Sequence, residues 1–125
     1  MVCGQRIDMA FAVESIPDDA SLFRSIHRIH LTPDGIISSQ AYNNERLSVN
    51  WEKYTDAQRT AEESSVAVTA LACRDCRNLN QSVEHTPIEP DQQFGPNQAH
   101  AEICGNKSKT IRHQLRDLAK TVWRR

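Results

Sequence analysis

Long apolar runs, aromatic side chains and cysteine are all scarce in this 125-residue chain, and each scarcity excludes something. No stretch approaches the roughly 20 apolar residues that a membrane-spanning helix requires. The first residues hold only the short run Met9-Ala10-Phe11-Ala12-Val13, with Arg6 and Asp8 just upstream. A basic segment leading into a hydrophobic one is missing, so no secretory signal is expected, and the expected setting is the cytoplasm with no membrane partner. Phe, Trp and Tyr make up 6% of the chain, so a core must rest on Ile, Leu, Val and Ala. The four cysteines (Cys3, Cys73, Cys76, Cys104) are few for a disulfide-held secreted module. They are expected to be buried small hydrophobes, metal ligands or redox groups. No internal repeat and no low-complexity block is present.

The length suits one domain with one modest core. We expect residues 1–125 to form a single domain, with residues 1–20 flexible and residues 89–98 a loop around Pro90, Gly95 and Pro96. Residues 23–31 alternate apolar and polar, Pro33-Asp34-Gly35 has turn chemistry, and residues 36–42 follow as the second arm of a hairpin. Residues 47–51, 81–88 and 99–105 read as strands, and the β-branched run 65–72 as a buried one. Thr55 is expected to cap a short helix reaching Glu63, and Cys73–Leu79 to make a helical turn. The clearest element is a terminal helix over 109–123, capped by Asn106 or Ser108. Its apolar stripe is Ile111, Leu115, Leu118, Ala119 and Val122. The expected architecture is α+β: a mixed or antiparallel sheet with that helix packed on it.

Net charge is −1, yet the ends differ in sign. From Gly105 onward seven basic residues face the single acid Asp117, a net +6, which leaves −7 for residues 1–104. Such a split points to an anionic partner for the tail, or to packing on the protein's own acidic surface. Lys107, Lys109, Arg112, Arg116 and Lys120 are the candidate anion or nucleic-acid contacts, clustered where a strand meets a helix N-terminus. The junction is no nucleotide-binding P-loop, because no glycine precedes Gly105 at the required spacing and Asn106 interrupts Gly-Lys-Ser.

A second candidate is the strand Ala99–Gly105. Period-2 geometry puts His100, Glu102 and Cys104 on one face and Ala99, Ala101 and Ile103 on the other. Cys73-Arg74-Asp75-Cys76 with His100 and Cys104 would fill a tetrahedral zinc shell. Cys-x-x-Cys after a strand also suits a thioredoxin-like redox role. His27 and His30 flank Ile26 and Ile29, so at least one is expected to face solvent, and His85 reads as a strand end. No Gly-x-Ser-x-Gly elbow surrounds Ser38-Ser39, so no nucleophile is expected there.

Two resemblances rest on these residues. Ala99-His100-Ala101-Glu102-Ile103 resembles the His-x-Glu motif of nucleoside deaminases. Carried over, it implies His100 as a zinc ligand, Glu102 as proton shuttle, and Cys73 and Cys76 as further ligands. The Cys-x-x-Cys precedes the His-x-Glu here, however, and Ala72 stands where the motif has proline. The longer pattern, Asn97-x-AHAEI-x-Gly105-x-Lys107-x-Lys109 plus a basic helix, with IHRIHL, IISSQAY and LSV upstream, resembles one shared by small bacterial proteins. That resemblance implies a recurring domain and supplies no catalytic residue. The leading expectation is a non-catalytic binding or accessory subunit that docks nucleic acid or an acidic protein surface, with no cofactor. The alternatives are a zinc-dependent deaminase-like or hydrolase-like enzyme and a pure protein–protein interaction module of a larger complex.

Overall fold

A computed structural model describes residues 11–90 and 96–125. The expected flexible start falls partly on residues 1–10, and the expected loop partly on 91–95, outside the described residues; Cys3 lies there too. Among the described residues there are six strands: β1 (Ser21–His27), β2 (Arg46–Trp51), β3 (Ser65–Ala72), β4 (Ser82–His85), β5 (His100–Cys104) and β6 (Lys120–Arg124). They form one antiparallel sheet in the order β4-β5-β2-β1-β3-β6. Three helices join them: α1 (Ala57–Thr60), α2 (Cys73–Asn78) and α3 (Lys109–Leu118). The domain is α+β, as the residue pattern implies.

Alternation along the strands sorts the sheet into two faces. Leu22 and Ile26 of β1, Leu47, Val49 and Trp51 of β2, Ala67 and Leu71 of β3, Val83 of β4, and Ala101 and Ile103 of β5 are all buried. They form one cluster with Ile16, Ala20, Tyr42, Cys73 and Cys76 of α2, and Leu115 of α3. Burying each large apolar side chain of this kind stabilises the fold by about 1.5–3 kcal/mol. Tyr42, also buried, places its hydroxyl 2.8 Å from Thr69 Oγ1, so its polar tip is satisfied inside that layer. Ile16 and Ala20 tie the segment before β1 into the core, although it was expected to be flexible.

Three expected elements differ. The short helix is capped by Asp56, whose carboxylate accepts from Arg59 N–H, not by Thr55, and it ends at Thr60 and not Glu63. Residues 36–42 do not form a hairpin arm: only Leu31 and Ile37 bridge, and Ser39–Tyr42 is a 3-10 turn. Ser38 diverts the chain, its hydroxyl accepting from Gln40 N–H and opening the turn. The Thr32–Gly35 turn itself forms, with Gly35 N–H donating to Thr32 O at 2.9 Å and Gly35 at φ +79°. The terminal helix ends at Leu118, not Trp123. Ala119 is extended (φ −71°, ψ 138°), and the chain leaves as β6 along the edge of β3. Thr121, Val122 and Trp123 are β-branched or aromatic and suit a strand. Arg125 fastens the end: its backbone N–H donates to Val66 O, its guanidinium to Ser65 O and Glu62 O, and it stacks 5.2 Å over Trp123.

The sheet also forks. β1 pairs with β3 along its whole length, but with β2 only at Leu22–Trp51 and Phe23–Asn50. Beyond Phe23 the two central strands diverge. Arg24, on the inward-facing period of β1 between Leu22 and Ile26, closes the gap. Its Nε donates to Ala41 O and its Nη1 to Ser48 O, both at 3.0 Å.

Candidate functional site

The strand–helix junction behaves differently from a solvated lysine cluster. Lys107 is 6% exposed, and its Nζ donates to Glu45 O, Ile103 O and Gly105 O at 3.0–3.1 Å. Burial pulls its pKa below the ordinary lysine value, with nearby Cys104 and Cys76 acting the other way. All three ammonium donors are used, so Lys107 is not offered to an external anion. Arg112 turns back to donate to Lys107 O, and Arg116 lies against Asp117 and His113. Ser108 caps α3, its hydroxyl accepting from Ile111 N–H. Lys109 and Lys120 remain exposed, the latter on β6 and not on the helix. The five cations named as candidate anion contacts are thus divided among a carbonyl cage, an inward turn, a local pair and two separate surface positions.

The zinc set is not brought together. Cys73 and Cys76 lie in the core cluster on the helix-covered face. His100 and Cys104 lie on the opposite face, in register with Asn50 and Arg46 of β2. Among the described residues no three His, Cys, Asp or Glu side chains are grouped to hold a metal ion. Burial raises all three thiol pKa values, that of Cys76 to about 12, which is opposite to the lowered value a redox-active thiol needs. The alternation expected for β5 is present, but His100 and Glu102 do not share a site. Glu102 takes a two-pronged hydrogen bond from Arg46, at 2.6 and 3.3 Å, which holds it as an acceptor. Buried His85 is also fully engaged: Nδ1 accepts from Glu14 N–H and Nε2 donates to Gln98 O.

His100 points elsewhere. Its Nδ1 lies 2.8 Å from Thr86 O, an acceptor only, so Nδ1 carries the hydrogen. The Nε2 lone pair then faces Ser48 Oγ at 3.3 Å. Ser48 and His100 border a pocket of about 440 Å³ on the open face, at the fork between β1 and β2. Ligand pockets run from about 300 to 1,000 Å³, so this is room for a small molecule. Asn50 stands on one wall, tied to Thr60 Oγ1 at 3.2 Å and accepting from Asn97 Nδ2 at 3.0 Å. These bonds bring the α1 segment and the chain before β5 together over the sheet. His27, Glu62 and Ile88 complete the rim.

Arg24 belongs to the core-facing period of β1 and enters the pocket lining through the fork, where the carboxylate of Glu62 also stands. Desolvation acts to lower the Arg24 pKa, and the potentials of Tyr42 and Glu62 oppose that; a guanidinium stays charged in either case. Nε and Nη1 are used by the fork, and Nη2 has no hydrogen-bond partner among the described residues. Residue-by-residue reading missed Arg24, Ser48 and Asn50. One signal was available: a charged residue at the inward position of the alternating strand Leu22-Phe23-Arg24-Ser25-Ile26.

The arrangement defines an open antiparallel α+β domain, with α2 and α3 over an apolar face and a polar pocket, bordered by α1, on the other. No helix among the described residues is long and apolar enough to cross a membrane. Comparison with known proteins finds no family model, curated protein or solved structure that matches the chain.

Proposed function

We propose that the protein is a binding module that takes a small anionic ligand into the pocket at the sheet fork. The observation that carries this reading is Arg24, a guanidinium held at the pocket by two backbone carbonyls, with Nη2 unpartnered among the described residues. A guanidinium fixed in this way loses little side-chain entropy on binding, and it favours planar carboxylate or phosphate oxygens. The amides of Asn50 and Asn97 and the hydroxyl of Thr60 give further polar groups at the rim. The expected anionic partner is kept, but its site moves from the C-terminal helix to the fork.

The test is calorimetric titration with a panel of carboxylates, phosphate esters and nucleotides. Asn50→Asp keeps the bond accepted from Asn97 Nδ2, gives up the one donated to Thr60 Oγ1, and adds a negative charge to the wall. It should therefore keep the native circular dichroism and lose binding at least tenfold. Lys109→Glu with Lys120→Glu should leave binding within twofold. Loss in the lysine variant with retention in Asn50→Asp would return the anion site to the tail.

A further inference from the structure

We infer that the same pocket carries an acyl- or phosphoryl-transfer nucleophile, Ser48, with His100 as its general base. This rests on the pocket being a ligand site. A serine hydroxyl is weakly nucleophilic until a neighbouring base accepts its proton and a third group orients that base. Those parts are in place. Ser48 Oγ lies 3.3 Å from His100 Nε2, and His100 Nδ1–H is held by Thr86 O at 2.8 Å, with Thr86 Oγ1 at 3.0 Å. That carbonyl fixes the tautomer in which Nε2 is free to accept. A distance of 3.3 Å is long for a hydrogen bond, and such contacts tighten when substrate excludes water. Arg24 Nη1 is bonded to the carbonyl of Ser48 itself, so the guanidinium sits within one residue of the nucleophile. It would neutralise charge developing on a substrate oxygen.

For an ester the steps balance as follows. Ser48 Oγ bonds to the acyl carbon while its proton passes to His100 Nε2. The bond to the alcohol breaks, and that alcohol leaves with the proton from Nε2. Water then gives a proton to Nε2 and attacks the acyl carbon. The bond to Oγ breaks, and Ser48 recovers its proton from Nε2, with no oxidant or metal consumed.

The experiment uses an alkyl fluorophosphonate probe, read by intact mass and peptide mapping. Wild type should gain one label, on Ser48. Ser48→Ala should gain none, Ser82→Ala, on β4 away from the pocket, should label like wild type, and His100→Gln should label about 100-fold more slowly. Since His100→Gln also perturbs the contact between β5 and Thr86, a second variant guards against misfolding. Ser48→Cys should be alkylated by iodoacetamide at least tenfold faster with His100 present than with His100→Gln. No label on wild type, or equal rates with and without His100, overturns the inference. If anion titration still succeeds, the binding reading survives that outcome; if both fail, both fall.

Discussion

Replacing Lys107 by methionine separates a caged lysine from an anion-binding one. Methionine keeps the apolar stem and removes the three donated bonds. Their loss is unequal. Glu45 O keeps the N–H of Gly105 at 2.9 Å. Counting by twos along the ladder from that bond, Ile103 O keeps the N–H of Leu47, its register partner. Gly105 O is the acceptor left bare. A buried carbonyl without a partner costs about 1–3 kcal/mol, and two weakened charged bonds add to this. Relief from burying an ammonium offsets part of the sum. The expected net loss is about 2–3 kcal/mol, against a typical total of about 5–15 kcal/mol. For a chain of this length that corresponds to a melting temperature lower by roughly 6–15 °C. Urea unfolding followed by tryptophan fluorescence measures it, since Trp51 is 3% exposed. Lys109→Met, at an exposed position, should change stability by less than about 0.5 kcal/mol. If the two variants are equally stable, the Lys107 ammonium is solvated and the carbonyl cage is wrong.

Two further outcomes follow from the same region of the fold. Gly105 has φ +148°, and a Cβ there would stand 2.7 Å from Gln81 Oε1 and 2.9 Å from Cδ. Gln81 is 5% exposed and donates to Asn106 O, so it cannot simply swing away. Gly105→Ala should cost about 2–4 kcal/mol, and Gly35→Ala, with open space around it, about 1 kcal/mol; equal thermal shifts would contradict this. Cys76 is the second case. With its pKa at about 12 when folded, against 9.0 ordinarily, the unfolded chain ionises first as pH rises. Its contribution is complete below pH 9 and is lost above it, at up to about 1.4 kcal/mol per pH unit. The stability difference between wild type and Cys76→Ala should therefore shrink by about 1 kcal/mol between pH 9 and 10 in urea titrations. A pH-independent difference would mean that the thiol is not desolvated.

Strand content was legible where packing agrees with local pattern. β3 occupies the expected residues because a β-branched apolar run has both faces covered: Ala67 and Leu71 by the core, Val68 beneath the α1 side. The two faces of β5 follow from period 2 alone. Pattern failed where a longer-range partner decides the outcome. The stripe Ile111-Leu115-Leu118-Ala119-Val122 satisfies helical spacing, yet Leu118 and Val122 are 39% and 48% exposed. Pairing with β3 overrides that spacing from Lys120 onward. The fork is harder still to foresee, since it depends on two strands ceasing to pair, and only the misplaced charge at Arg24 hints at it.

The charge asymmetry of the chain shows why composition points to a different end from the proposed pocket. Its +6 tail invited a search for an acidic counterpart. Yet Lys107 answers three carbonyls, Arg112 one, and Arg125 two. A carbonyl oxygen has two lone pairs, so it can accept a side-chain donor beside a backbone N–H. A long cationic side chain reaches several such acceptors at once. Among the described residues, Arg116 alone of the tail's side chains meets an acid, its neighbour Asp117. Arg24 uses two of its nitrogens in the same way at the fork, and Nη2 has no partner among the described residues. By this reasoning the charge that matters for a ligand is the one left after the backbone has been satisfied. In the proposed pocket that charge is Arg24, within the acidic part of the chain, where a count of charges by segment would not look.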